Sequence, residues 1–283
     1  MLEHLNINSG GTWNTEFEQF YTLGLGFVKD YRSKKVLNQW RNIGLQQIHF
    51  PSDEPQRIPG YISLEYPDIN ILKTRLSFYN INYQTRLHEN NEEEYLQVQC
   101  PIGNIYRIYQ QLPYTSFSVG LGLSTLTFYC PLYTAIKICH FYRYFFNTST
   151  TSISIDNEYN TTKCSISIGY RQYIQYIEHS QNPYSQDSDS NMVLSQYNKN
   201  TTTTSTNSSN ITTNGYHIAI YIENFIPLYK RIRNYNLIWS NPRFPEFTYE
   251  SSEDVLRHLE FRFKKIIDVY TGEQLFELEH EIR

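Results

Sequence analysis

The chain has 283 residues, a formal net charge of −4 and 40% apolar residues, with 26 Tyr and 16 Phe among them. That length suits two domains of ordinary size, and that apolar mass suits a buried core. No basic block occurs, and the Tyr-rich stretches lack rows of Arg and Lys, which excludes the electrostatic footprint of a nucleic-acid binder.

In chain order, Leu2–Asn8 alternates, with Leu5 and Ile7 on one face and His4, Asn6 and Asn8 on the other, which predicts a strand. Ser9-Gly10-Gly11 turns the chain. Thr15 is placed to cap a helix, with Glu18 at the capping-box position and Phe17, Phe20, Tyr21 and Leu25 as its apolar stripe. Gly24 and Gly26 end it. Strands are expected over 26–31, 38–44 and 45–50. In the last of these Gln47 and His49 share one face, and Ile48 and Phe50 share the other.

The same order then repeats. Gly60–Tyr66 is a strand with Tyr61, Ser63 and Glu65 on one face. Pro67-Asp68 opens a helix carrying Ile69, Leu72 and Leu76. Strands follow at 83–87, 96–100 and 105–110, the last with Arg107 and Tyr109 on one face. Residues 112–124 read as a linker. A third unit has a strand at 125–130, a helix at 133–146 and strands at 152–156, 164–169 and 173–178. Residues 181–214 are Ser, Thr and Asn with scattered Asp, which predicts a disordered insertion because little apolar surface is there to bury. A fourth unit opens at 216–222, continues with a helix over 225–235, and closes with strands at 236–239, 258–268 and 274–283.

Cys100, Cys130, Cys139 and Cys164 form no CxxC pair and no zinc-type spacing with His, so they read as free buried thiols. The opening MLEHLNINSG lacks the basic and apolar regions of a signal peptide. No apolar run approaches the ~20 residues that span a bilayer. A cytoplasmic location and no membrane partner are expected. No Ser-His-Asp or Cys-His arrangement and no Gly-rich phosphate loop is legible.

Four tandem βαβββ units, with EQFYTLGLGFVKD at the first helix exit, resemble the vicinal oxygen chelate superfamily. That superfamily includes glyoxalase I, bleomycin-resistance proteins and extradiol dioxygenases. WRNIGLQQIHFP and GYISLEYPDINILKTRL are similar to its strand and next-unit opening, and CPIGNIYRI to its closing turn. GYHIAIYIENF and TGEQLFELEHE repeat these signals near the C-terminus. The resemblance covers nearly the whole chain apart from the insertion. It implies an α+β fold of two paired-module curved mixed sheets. The first pair is expected over 1–111 and the second over 125–283, each around a cleft.

The resemblance also implies where a divalent metal (Fe, Mn, Zn or Ni) would be held, since members use the first and last strands of the modules. His4 matches the opening position of the first unit, and His49 lies close to the closing position, beside Gln47. His217 matches the opening position of the fourth unit. Glu277 or Glu279, which alternate on one face of the last strand, matches its closing glutamate. His217 with Glu279, joined by Gln175 or Glu178, would then hold a Lewis acid, with Glu279 and Tyr221 as catalytic candidates. In the second unit Tyr61 stands where many members have His, and Arg107 where they have Glu. A guanidinium repels cations, so Tyr61, Arg107 and Tyr109 read instead as a binding surface for an anionic or aromatic ligand, or Arg107 pairs with Glu65. The expected partner is a small oxygen-rich organic molecule, and the expected state a monomer or homodimer. Two other readings stand beside this one: a metal-free protein that sequesters a small molecule, and a scaffold without ligand. In both, the histidines are hydrogen-bonded strand residues and ELEHEIR is a charged edge.

Overall fold

Residues 1–11, 13–33, 38–87, 94–111, 121–148, 151–180 and 215–283 are described by the computed structural model. The expected insertion (181–214) and most of the expected linker (112–120) lie outside them.

Each unit begins with a strand and a helix. The first has β1 (Leu2–Asn6), α1 (Thr15–Phe17) continued by a wider spiral over Glu18–Gly24, β2 (Val28–Lys29), β3 (Asn38–Ile43) and β4 (Gln46–Pro51). The second has β5 (Gly60–Tyr66), α2 (Ile69–Phe78), β6 (Tyr83–Leu87), β7 (Glu94–Gln99) and β8 (Ile105–Gln110). The third has β9 (Gly122–Pro131), α3 (Ala135–Phe146), β10 (Thr151–Asp156), β11 (Thr161–Gly169) and β12 (Gln172–His179). The fourth has β13 (His217–Ile220), α4 (Phe225–Asn234), α5 (Ser252–His258), β14 (Phe261–Ile267) and β15 (Gln274–Ile282).

Three local expectations differ. Asn14, not Thr15, caps α1, its Oδ1 accepting from Phe17 N at 3.0 Å. The strand expected at 236–239 is reduced to one pairing, Ile238 with Phe263. The start of the strand expected from His258 is taken by the end of a helix, because Ser251 and Asp254 form a reciprocal capping box that starts α5.

The strands form two mixed sheets. One has seven strands in the order β14-β15-β13-β1-β4-β3-β2, the other eight in the order β10-β11-β12-β9-β5-β8-β7-β6. The same core pattern recurs in both. Two opening strands run antiparallel at the centre, and each is flanked in parallel by the closing strand of its own unit. Units one and four therefore share a sheet, as do units two and three. The expected division into 1–111 and 125–283 does not correspond to the sheets. The repeat marks the units, but an opening strand's free edge is satisfied by backbone hydrogen bonds that any other opening strand can supply.

Alternation gives each sheet one apolar face. Leu5, Ile48, Ile218 and Phe263 in one sheet, and Ile62, Leu126, Ile108 and Tyr176 in the other, belong to one continuous core. Tyr21, beyond α1, touches Phe50 of the first sheet at 4.7 Å and Tyr106 of the second at 6.0 Å between ring centroids. Phe128 and Phe276 meet directly across the two sheets at 5.9 Å. The apolar faces thus look toward each other, and the polar faces look away. All four cysteines are buried and unpaired, as the sequence suggested. No helix among the described residues is long and apolar enough to cross a membrane.

Gly60 sits where β5 meets β9. A Cβ there would lie 1.9 Å from the Thr127 carbonyl oxygen, a backbone atom that cannot step aside. Gly60→Ala is expected to lose about 2–4 kcal/mol of stability. Urea unfolding reads this directly, and an unchanged midpoint would contradict the β5–β9 register.

Candidate metal centre

On β1 the alternation that sends Leu5 into the core sends His4 and Asn6 to the opposite face. β13 does the same with Ile218 and His217, and β15 with Leu278 and Glu279 or Glu281. The register sets Asn6 opposite both His49 and His217, His217 beside Glu279, and Ala219 beside Glu281. Four strands from the two ends of the chain therefore deliver His4, His49, His217, Glu279 and Glu281 to one patch.

Three of these converge. His4 Nε2 lies 3.4 Å from His217 Nε2, and His217 Nε2 lies 3.5 Å from Glu281 Oε2. One ligand atom from each of the three falls within 4.8 Å of the others. Two ligands on a tetrahedral cation with bonds of ~2.0–2.1 Å stand about 3.4 Å apart, so the spacing suits a shared ion. The side chains of His4 and Glu281 are each only 2% exposed, and that of His217 is 15% exposed. Glu3 Oε2 approaches His4 Nδ1 at 3.6 Å, on the ring edge away from the cluster.

Two arginines organise the carboxylates. Arg262 on β14 donates from Nη1 to Glu279 Oε1 at 2.6 Å, from Nε to Glu260 Oε1 at 3.0 Å, and from Nη2 to Glu281 Oε2. Arg283 donates to Glu3 at 2.8 Å and pairs with Glu281 Oε1. Four carboxylates (Glu3, Glu260, Glu279 and Glu281) face two guanidiniums, a formal surplus of two negative charges. Burial raises the Glu279 carboxyl above its ordinary range although Arg262 pulls it down. Burial opposes the charge on Arg262, yet Glu281, Glu260 and Glu279 together hold it more firmly protonated than usual.

His217 and His49 are held neutral. Burial, then the nearby His4 and Arg262, drives His217 well below the usual histidine value. Burial, then His4 and Arg32, lowers His49 to about 3. Trp40 lies flat on His49, with centroids 4.0 Å apart, and meets His4 edge-on at 5.0 Å. The Arg32 guanidinium sits 4.4 Å over the Trp40 ring.

The residues expected from sequence divide as follows. His4 and His217, expected in separate pairs, stand together because units one and four share a sheet. Glu281 takes the place expected for Glu279, which is clamped by Arg262 on the same strand face. Glu277 pairs with Lys264 at 3.3 Å near the surface. Tyr221 lies past β13, 45% exposed, in hydrogen-bond reach of Glu3. His49 lies on the same face, stacked on Trp40 rather than in the three-residue cluster. Gln47 is engaged by Asp30, which accepts from its Nε2 at 2.9 Å. Glu178 accepts from Ala135 N at the start of α3, on the other sheet, and Gln175 accepts from Thr127 there. Glu281 was visible in the sequence as the third acid of the Glu277, Glu279, Glu281 alternation. Only the register with Ala219 singles it out.

Tyr61, Arg107 and Tyr109 do stand together, on the polar face of the eight-stranded sheet. The Arg107 guanidinium lies 3.8 Å over the Tyr61 ring and 5.4 Å from the Tyr95 centroid. Glu65 does not pair with Arg107; it accepts from Arg171 at 2.9 Å.

No protein-family model matches the chain, and no curated protein sequence matches it. Solved structures do. Glyoxalase I from Zea mays superposes with a TM-score of 0.62 over 99% of this chain and 91% of its own, at 10% identity. A Bacillus subtilis subsp. subtilis str. 168 protein provisionally assigned as a dioxygenase superposes with a TM-score of 0.55 over 99% of this chain and 84% of its own, at 13% identity.

Two outcomes follow from the electrostatics. Arg262→Met removes the guanidinium that three buried carboxylates share and is expected to cost about 3–5 kcal/mol, read as a lower unfolding midpoint at pH 7.5. His49 is neutral in the folded state but takes up a proton in the unfolded chain below its ordinary 6.5. The unfolded state then binds more protons, so stability falls as pH drops from 6.5 toward 3, by about 2 kcal/mol at pH 5. Between pH 7.5 and pH 5, in chelator-containing buffer, the stability of wild type relative to His49→Gln should fall by about 2 kcal/mol. A gap independent of pH would contradict the neutral assignment.

Proposed function

We propose that this chain, built on the vicinal oxygen chelate fold, holds a divalent metal at His4, His217 and Glu281 and binds or transforms a small oxygen-rich organic molecule, as a glyoxalase- or dioxygenase-like protein. The convergence of two Nε2 atoms and one carboxylate oxygen carries this reading. Two imidazoles and one carboxylate form a donor set that leaves positions open for substrate oxygens. When bound, the cation supplies Lewis acidity to oxygens of the substrate.

The chain's own residues do the rest. Arg262 and Arg283 hold both oxygens of Glu281, which fixes the carboxylate without filling all its lone pairs. Such outer partners orient ligands and tune affinity. Glu3 stands 3.6 Å from His4 Nδ1, which has no hydrogen-bond partner among the described residues. Trp40 and His49 supply a flat aromatic wall beside the centre. Glu279, its carboxyl raised by burial, is the candidate to take and return a proton on the same face of β15. Tyr221 marks the outer rim.

A second reading, a metal-free binding protein, is favoured by the two guanidiniums on Glu281, which already supply it with positive partners. Metal analysis separates the two. Protein purified without chelators is expected to carry about one transition metal per chain. His217→Ala or Glu281→Gln should abolish it, Arg283→Gln should weaken it ~10–100-fold, and Glu279→Gln should leave it bound. A metal-free wild type that shows no thermal shift with Zn²⁺, Ni²⁺, Mn²⁺ or Fe²⁺ would overturn the metal reading.

A further inference from the structure

The eight-stranded sheet repeats the strand plan of the metal centre but fills it with different chemistry. β9 and β5 are its central antiparallel strands, and β12 and β8 are its parallel flanks. The outward positions carry Tyr61 on β5, Arg107 and Tyr109 on β8, Thr127 and Tyr129 on β9, and Gln175 on β12. Where one sheet gathers acceptors for a cation, the other gathers a guanidinium and hydroxyls.

The Arg107 side chain is only 11% exposed, and among the described residues one carboxylate answers it: Glu158, 41% exposed, reaches Nη2 at a long 3.4 Å. Among the same residues Arg107 Nε is buried with no hydrogen-bond acceptor. The Tyr61 ring covers one face of the guanidinium, so its edge donors remain the means of contact. Tyr109 is within hydrogen-bond reach of it and stacks on Tyr95 at 5.2 Å. Tyr129 and Tyr159 share a hydroxyl hydrogen bond of 3.0 Å nearby. A buried cation with an unused donor, a loosely held exposed carboxylate and flat rings around it is under-satisfied by its own protein.

We propose that this face is a second, metal-independent binding site for a small aromatic carboxylate, with Arg107 as the carboxylate anchor, the tyrosine rings as the stacking surface, and Glu158 as an internal stand-in that the ligand displaces. The guanidinium fork matches a planar carboxylate through two parallel hydrogen bonds, which a single long contact to Glu158 does not use. Ring stacking favours an aromatic body over an aliphatic one of the same charge. Burial raises the Tyr61, Tyr109, Tyr129 and Tyr159 phenols above their ordinary value, so they remain neutral hydroxyls and do not repel an anion at neutral pH. This site goes beyond the metal reading and does not depend on it.

Benzoate is the probe, titrated by calorimetry into the full chain at low salt. Wild type is expected to bind it saturably, and cyclohexanecarboxylate more weakly. Arg107→Gln should weaken benzoate at least ~10-fold, and Arg107→Lys should fall between, having charge without the fork. Glu158→Gln, at a half-exposed turn, should bind about 3–10-fold more tightly because the competitor is gone. A purely structural Arg107–Glu158 pair would instead leave binding absent in both wild type and Glu158→Gln, which overturns the proposal. Equal affinity in Arg107→Gln also overturns it. His217→Ala is expected to bind benzoate as wild type does; loss of binding there would assign benzoate to the metal centre and sink the second site.

Discussion

The antiparallel seam between β1 and β13 is the constraint on which the rest of the first sheet depends. It joins residues more than two hundred positions apart, bringing His4 and His217 within 3.4 Å across 213 positions. The two ends of the chain fasten it. Met1 N donates to Tyr221 O at 2.7 Å, Arg283 N donates to Ile220 O at 3.0 Å, and Arg283 pairs with Glu3. Closing so long a loop is slow more than it is unfavourable, because loop entropy grows only with the logarithm of length. The metal-type cluster therefore exists only once the fourth unit has docked on the first, and neither unit alone holds it.

The two sheets show how one strand plan supports opposite electrostatics. In both, the central opening strands present the same outward positions, and the closing strands flank them. The first sheet places imidazoles and carboxylates there; the second places Arg107 among phenols. Because each apolar face packs into the common core, the two polar faces point away from each other. A change of side chain on one face need not disturb the other except through that core.

Much of the fold was legible because it rests on local periodicity. The β5, β6 and β8 boundaries coincide with those read from alternation, and Asp68 caps α2 as its place after Pro67 suggested. Pairing between units was not legible. Backbone hydrogen bonds carry no side-chain signature, so consecutive units looked like natural partners although the first joins the fourth. The same gap explains the site. His4 and His217 were visible as opening-strand histidines, but their meeting was not. Glu279 and Glu281 share a face of β15 and both pair with Arg262, and sequence spacing alone does not say which of them also reaches His217.

The presence of Arg262 in the cluster is at first sight an argument against a cation. A guanidinium close to a metal position adds repulsion, about 4 kcal/mol for unit charges 4 Å apart at an effective dielectric near 20. Yet without it, Glu260, Glu279 and Glu281 would crowd one buried patch. Burial already raises the Glu279 carboxyl even with Arg262 beside it. By pairing with all three acids, Arg262 fixes Glu281 in direction, and with Arg283 it offsets two of the four formal carboxylate charges. The arginine thus reduces the attraction for a cation by one charge while preserving the oxygen that would hold it. The guanidinium that would repel a cation is thus the same group that holds the three carboxylates in place.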